Sequence, residues 1–273
     1  MKKGVKIALI SVLSVLLVFL LVFWVTVPII KGCVAKESFY EGKINEGLKD
    51  LETLDSFPYN SPFKSLFKNF AYNGVRKVEV GDSVYLGSFE QDGNEENGKE
   101  PIEWIVLSKE DGKALLISRY VLDVKSYSKY TSRFEMHWDI CFIRKWLNEN
   151  FYNDYFTAAE KEIIIETENE NKVPETSYAK DGEKTLDKAF LLSLEEVEKY
   201  LSEDLRIAVA TPFAKSRGEY VESKNGNCMW WLRTLGRKPE FTSFVYTDGK
   251  IMSHGMDGKN QSVGMRPALW IEM

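Results

Sequence analysis

Histidine is scarce in this 273-residue chain, which contains only His137 and His254. The sequence also lacks a His-Glu-x-x-His zinc motif, a glycine-rich phosphate loop and a Gly-x-Ser-x-Gly nucleophile motif. These absences weaken the case for the commonest hydrolases and nucleotide-binding enzymes, although a site can be assembled from distant residues. We therefore expect no catalytic residues and no cofactor, and we consider binding roles first.

Cysteine is almost as scarce, with Cys33, Cys141 and Cys228. Cys33 lies beside a long apolar run, which leaves Cys141 and Cys228 as one candidate pair. They form either a disulfide, which is permitted outside the cytoplasm, or two buried thiols that behave as small hydrophobic groups. The sequence leaves both alternatives open.

Metal-binding patterns are weak. The acidic loop holds Glu90, Asp92, Glu95 and Glu96, whose oxygens could bind Ca²⁺, but their spacing is not that of an EF-hand. A solvated loop is the simpler interpretation, so we expect no metal site.

The strongest feature present is an apolar run near the N-terminus. Residues 7–30 contain no charged side chain, and at about 1.5 Å per residue a helix of this length exceeds the roughly 30 Å hydrocarbon core. Three lysines stand in residues 1–6, and basic residues are sparser after the run. The positive-inside rule then predicts a cytoplasmic N-terminus, a transmembrane anchor over 7–30 in the plasma membrane and an extracytoplasmic remainder.

Two other roles of the N-terminus fit the sequence less well. A cleaved signal peptide has an apolar region of about 7–15 residues, which is shorter than this one. A lipoprotein signal would use Gly32-Cys33, but Lys31 two positions before the cysteine fits such a signal poorly. We expect an uncleaved anchor that contacts the lipid bilayer.

Charge is distributed unevenly. Residues 1–77 hold 11 Lys/Arg and 6 Asp/Glu, which gives a net charge of +5. Residues 78–273 hold 25 Lys/Arg and 35 Asp/Glu, which gives a net charge of −10. An acidic domain repels phosphate backbones, so nucleic acid is not expected as a partner.

The segment over 31–77 is predicted to be a helical stalk or linker. Glu37–Leu54 carries an amphipathic stripe of Ile44, Leu48, Leu51 and Leu54. Prolines within 56–62 end this helix. The aromatic segment 63–72 then docks on the domain or lies on the membrane surface.

The domain over 78–273 mixes predicted strands and helices. Asp111-Gly112 is a hairpin signal between strands Ile102–Leu107 and Ala114–Ser118, and Asp248-Gly249 is a second turn signal. Capping boxes begin at Thr157 and Ser193. A helix is predicted over Trp138–Phe151, and its inner face carries Ile140, Ile143, Trp146, Leu147 and Phe151. A loop is predicted over Asn169–Lys184. The other predicted strands are Ala189–Ser193, Cys228–Arg233, Phe244–Thr247 and Ala268–Ile271. Without regular βαβ alternation, the order predicts an α+β fold.

Several blocks occur in an order that resembles a bacterial family, the domain of unknown function six-two-seven-three. They include Pro101–Leu107, Ile143–Asn148, Phe190–Ser193, Trp230–Arg233 and Met265–Ile271, and the resemblance spans about residues 78–273. The resemblance implies a C-type-lectin-like mixed sheet with flanking helices, a fold shared with formylglycine-generating enzymes. It implies no activity. Those enzymes rely on a cysteine pair, and the surroundings of Cys141 and Cys228 do not match their pattern.

Candidate ligand-binding residues are aromatic or polar side chains near the C-terminus. Trp230 and Trp231 are adjacent, so on a strand they face opposite sides, and we expect one in the core and the other exposed as a flat plate. The resemblance implies that the ligand face is Arg237–Gln261, which contributes Tyr246, His254, Asp257, Asn260 and Gln261. Arg233 and Arg266 are expected to pair with buried carboxylates or carbonyls.

Three hypotheses follow. The first is a membrane-anchored extracytoplasmic module that binds a glycan, a cell-wall polymer or a protein. The second is an envelope scaffold that assembles through its stalk. The third is an envelope hydrolase, which the absent motifs disfavour.

Overall fold

The computed structural model describes residues 26–27, 29–55, 78–129, 136–218, 220 and 225–273. The chain divides into two units, Met1–Lys77 and Val78–Met273. In the described residues, no helix combines the length and apolarity needed to cross a membrane. Most of the predicted anchor over 7–30, and the aromatic segment 63–72, lie outside those residues.

Within residues 29–55 of the first unit, the structure has two helices where the sequence predicted one. Helix α1 covers residues 29–40, and helix α2 covers Ile44–Asp55. Gly42 between them has φ of 73°, a left-handed conformation that glycine adopts without a steric cost, so the predicted single helix is interrupted there. Among the described residues of this unit, the buried hydrophobic side chains are Ala35, Phe39, Ile44, Leu48 and Leu51.

One five-stranded sheet of the second unit is wholly antiparallel. Its strands are β1 (Ser83–Phe89), β2 (Glu100–Glu110), β3 (Lys113–Ser118), β5 (Ile164–Ile165) and β14 (Ala268–Glu272), in the order β1-β2-β3-β14-β5. Asp111 and Gly112 both have positive φ, as a two-residue type I′ hairpin turn requires, and the predicted β2–β3 hairpin is confirmed.

The second five-stranded sheet is mixed. Its strands are β4 (Asp123–Val124), β10 (Trp230–Leu235), β11 (Phe241–Val245), β12 (Ile251–Asp257) and β13 (Gly264–Met265), in the order β12-β11-β10-β13-β4. Strands β10 and β13 are parallel, and the other neighbours are antiparallel. The predicted turn at Asp248-Gly249 joins β11 to β12.

Two small hairpin-like sheets complete the strands. Strand β6 (Thr167–Asn171) pairs with β7 (Gly182–Asp187), and β8 (Ala208–Val209) pairs with β9 (Asn227–Cys228). The predicted loop over Asn169–Lys184 is therefore wrong, because both of its ends lie in β6 and β7. The predicted strand Ala189–Ser193 is reduced to one bridge between Phe190 and Ala268.

The longest helical segment of the second unit runs from 142 to 155. It consists of α3 (Phe142–Trp146), a π-helical turn (Leu147–Phe151) and α4 (Tyr152–Tyr155). It begins later than the predicted Trp138, and Ile140 is 53% exposed rather than part of the inner face. Ile143, Leu147 and Phe151 are buried as predicted.

Shorter helices flank the sheets. They are α5 (Ala158–Ile163), α6 (Leu194–Tyr200), α7 (Glu203–Arg206) and α8 (Pro212–Ser216). Both predicted capping boxes are present, with Thr157 and Glu160 on α5 and Ser193 and Glu196 on α6. With mixed sheets and several helices, the α+β prediction is confirmed.

Candidate functional site

Trp230 and Trp231 are both fully buried, so the expectation of one exposed ring is wrong. Their indole Nε1 atoms donate to backbone carbonyls, from Trp230 to Arg206 at 2.9 Å and from Trp231 to Lys125 at 3.0 Å. Strand β10 is central in its sheet and buried along its whole length, so packed elements cover both of its faces. Neither ring offers a surface to a ligand.

The other predicted site residues are spread over the β11–β12 turn, β12 and the following loop. Tyr246 is 39% exposed at the turn, and His254 is exposed on β12. Asp257 and Asn260 close local turns, since their side-chain oxygens accept hydrogen bonds from the backbone of Lys259 and Ser262. Gln261 follows them along the chain.

Cys141 and Cys228 are buried free thiols, which decides between the two alternatives for this pair. Burial raises the pKa of Cys141 to about 12. The Cys228 thiol donates to the Ala208 carbonyl at 3.3 Å. Because the thiolate is the nucleophile, the protonated and enclosed Cys141 is unsuited to covalent chemistry.

Native protein treated with iodoacetamide at about pH 8 should therefore keep Cys141 and Cys228 unmodified, and both should react once urea unfolds the chain. Mass spectrometry of tryptic peptides from the two samples measures the difference. If native Cys141 reacts as fast as the exposed Cys33, the Cys141 thiol is accessible to solvent and the prediction is wrong.

The acidic loop closes on itself through its carboxylates. Glu90, Asp92 and Glu100 have oxygens within 4.8 Å of one another, and each accepts a backbone hydrogen bond from its own loop. Hydrogen bonds from the Asn97 side chain and from the Asn94 backbone lower the pKa of Asp92. These contacts account for the arrangement as loop structure.

Arg233 and Arg266, the two arginines expected to be structural, both have partners in the core. Arg233 donates from Nη2 to Oε1 of Glu196 at 2.9 Å and from Nη1 to Oε2, and Nη1 also donates to the Leu191 carbonyl. Arg266 donates to the carbonyls of Ser118 and Leu205 at 2.9 and 2.8 Å, and burial lowers its pKa to about 10. The expected pairing of both arginines with carboxylates or carbonyls is confirmed.

Two adjacent cavities meet at Trp270, and together they form what we call the Trp270 cleft. The first has a volume of about 360 Å³ and the second about 230 Å³. Trp270 and Thr167 line both. The first is bounded by β6, the start of α6 and the Arg233–Thr234 part of β10, and the second by the β2–β3 turn.

Trp270 is partly exposed in this cleft. Along β14, the neighbouring Leu269 and Ile271 point into the core, and Trp270 therefore points to the opposite face. Within the described residues, no aromatic ring packs against Trp270 and no group hydrogen-bonds its indole. The ring is available as a flat apolar surface between two polar cavities.

The charged residues of the Trp270 cleft are mostly acidic. Six acidic and three basic side chains line it, a net charge of −3: Glu110, Asp111, Glu168, Glu170, Glu195, Glu196, Lys113, Lys172 and Arg233. Hydrogen bonds and charge from Lys172 and Lys184 lower the pKa of Glu170, which stays ionised near neutral pH.

Sequence reasoning missed this cleft. The alternation of β14 was a usable signal, because a tryptophan between two core residues of a strand must face the other side of the sheet. No comparable signal marked β6 as a wall, since a strand of Thr, Glu and Asn shows no hydrophobic period.

A third cavity, of about 250 Å³, lies elsewhere in the same unit. It is lined by Val124, Lys125, Ser126, Lys129, Phe142, Arg217 and Gln261. Gln261 is the one predicted ligand residue that lines any of the three cavities.

The comparisons with known proteins give a family and no closer relative. The model of a family described as Domain of unknown function (DUF6273) matches residues 111–273, more than half of the chain. No curated protein and no solved structure matches.

Proposed function

This chain belongs to the DUF6273 family of domains of unknown function, and we propose that it is a glycan-binding protein of the cell envelope that uses the Trp270 cleft. Its anchor is the apolar run 7–30, and its domain lies outside the cytoplasm. The lysines of residues 1–6 support this orientation through the positive-inside rule.

The observation that carries the proposal is the partly exposed Trp270 ring on the wall shared by two cavities. An aromatic face provides a large contact area with little loss of conformational entropy, since it has two rotatable bonds. The apolar C–H face of a pyranose ring fits such a plate. Two cavities beside one ring offer space for two neighbouring sugar units.

Polar groups around the ring supply the complementary hydrogen bonds. The carboxylates accept hydrogen bonds from sugar hydroxyl groups, and the Lys172 ammonium donates hydrogen bonds to sugar oxygens. A ligand pocket with an apolar base and a few converging polar groups is the usual arrangement of a specific binding site.

The charge of the cleft favours one of the three ligand classes considered from the sequence. A net charge of −3 on its lining repels phosphate-rich wall polymers and acidic proteins. Neutral sugars and amino sugars avoid this repulsion, and a protonated amine gains from it.

The Glu170 carboxylate is better suited to binding than to acid catalysis. A glycosidase needs one carboxylic acid whose pKa is raised, so that it can protonate the leaving group. Glu170 instead has a lowered pKa because of Lys172 and Lys184. It acts as a hydrogen-bond acceptor.

The C-type-lectin-like class is part of this proposal. Within the family-matched residues 111–273, the first and last strands, β3 and β14, pair antiparallel over five positions. Pairing of terminal strands is what that class leads us to expect. Strands β1 and β2 extend the sheet beyond this pair.

Replacing Trp270 with alanine should weaken glycan binding at least tenfold, about 1.4 kcal/mol, because a tryptophan at the centre of a site commonly carries that much. The full chain, solubilised in a polyoxyethylene detergent that carries neither sugar nor phosphate, is screened on a glycan array. Titration calorimetry with the best oligosaccharide then gives the affinities.

Trp270→Phe and Tyr246→Ala are the matched controls. The phenylalanine keeps a ring and should retain most of the affinity. Tyr246 is an exposed aromatic residue that lines none of the cleft, so its loss should leave binding unchanged. Loss of binding in Tyr246→Ala but not in Trp270→Ala would reject the cleft as the site.

A further inference from the structure

We propose a second binding site, independent of the Trp270 cleft, at which Lys125, Lys129 and Arg217 bind the phosphate group of an anionic ligand. These side chains line the 250 Å³ cavity, which we call the cationic pocket. It shares no lining residue with the Trp270 cleft. In a domain that is acidic as a whole, three cations on one small cavity are a local exception.

The positive charge of the cationic pocket is only partly balanced. Asp123, which is 5% exposed, lies 2.7 Å from the Lys125 ammonium and 3.6 Å from Nε of Arg217. Three cations and one carboxylate leave a net charge of +2. A doubly charged free phosphate would neutralise this excess, and a phosphodiester unit, which carries one negative charge, would neutralise half of it.

Two of the cations, Lys129 and Arg217, have N–H donors that can bind a ligand. Among the described residues, no hydrogen bond or ion pair engages the Lys129 ammonium, whose neighbour is the Phe142 ring at 3.8 Å. Arg217 contacts Asp123 at a distance longer than a hydrogen bond, and its side chain is 54% exposed. Its fork of N–H groups suits the bidentate recognition of phosphate oxygens.

Aromatic rings hold the cations in place. Lys129 lies over Phe142, and Lys125 lies over Trp146 at 4.1 Å. A cation on a ring face is attracted to it and is restrained before any ligand arrives, which lowers the entropy lost on binding.

Neutral donors complete the cationic pocket. Gln261 offers an amide. The Ser126 hydroxyl, which also lines the pocket, donates to the Lys259 carbonyl at 3.3 Å and would have to turn from it to bind a phosphate oxygen. The volume is below the range of roughly 300–1,000 Å³ that holds drug-sized ligands. The cavity therefore suits a phosphate group, either as free phosphate or as one unit of a phosphodiester polymer.

Calorimetry of the full chain in the polyoxyethylene detergent, in a phosphate-free buffer at low salt, tests the site. The titrants are inorganic phosphate and a glycerol phosphate oligomer. We expect saturable binding, a loss on the order of tenfold in Lys129→Ala and in Arg217→Ala, and weaker binding as salt is added. The titrant that binds more tightly identifies the source of the phosphate.

Lys145→Ala is the matched control, because Lys145 is an exposed lysine on α3 that lines no part of the pocket. It should bind as the unmodified chain does, and so should Trp270→Ala. The Lys129 and Arg217 side chains are both exposed, so the melting temperatures of Lys129→Ala and Arg217→Ala should stay within a few degrees of that of the unmodified chain. Absence of binding by the unmodified chain, or an equal loss in Lys145→Ala, overturns the proposal.

Discussion

Replacing Asp187 with alanine should destabilise the second unit by about 3–5 kcal/mol, enough to unfold much of it. The Asp187 carboxylate is fully buried. It accepts hydrogen bonds at 2.6 to 2.9 Å from Trp138 Nε1, Arg144 Nε, Asn169 Nδ2 and Thr185 Oγ1. Alanine would leave these donors, including a charged guanidinium, without their acceptor.

Urea denaturation followed by near-ultraviolet circular dichroism measures this loss. Asp248→Ala is the control, because Asp248 is an exposed turn carboxylate paired with Lys250, and its removal should cost less than about 1 kcal/mol. Equal urea midpoints for Asp187→Ala and Asp248→Ala would mean that Asp187 does not hold the β6–β7 pair against α3, the helix that carries Arg144.

Replacing Trp231 with alanine should also cost about 3–5 kcal/mol. The ring is fully buried and packs edge-on against Tyr127 and Phe244, at centroid distances of 6.1 and 6.3 Å. Truncation would leave a large cavity and remove the donor to the Lys125 carbonyl. An exposed ring would give a small effect instead.

Thermal unfolding of Trp231→Ala and Trp231→Phe separates these cases. The phenylalanine fills much of the space and should cost less than the alanine. A melting temperature within a few degrees of the unmodified chain for Trp231→Ala would contradict a buried ring and reopen the original hypothesis that one tryptophan of the pair is exposed.

The candidate sites depend on long-range contacts that the sequence alone does not predict. Trp230 and Trp231 were assigned to opposite faces correctly in principle, but a strand gives no sign of how many of its faces are covered. Strand β10 is covered on both, so neither ring is exposed, whereas Trp270 on β14 is partly exposed. The cationic pocket draws on segments around 125, 142, 217 and 261, which no local pattern connects.

Local rules were sufficient for the hairpin turn at Asp111-Gly112, the two capping boxes and the α+β class, since each depends on residues within a few positions of one another. Only the tertiary structure decided which polar segment becomes a strand, which thiols stay apart and which tryptophan reaches the surface. Those outcomes depend on burial and charge contributed by residues distant in the chain, such as the Asp187 carboxylate that holds the polar strands β6 and β7 together.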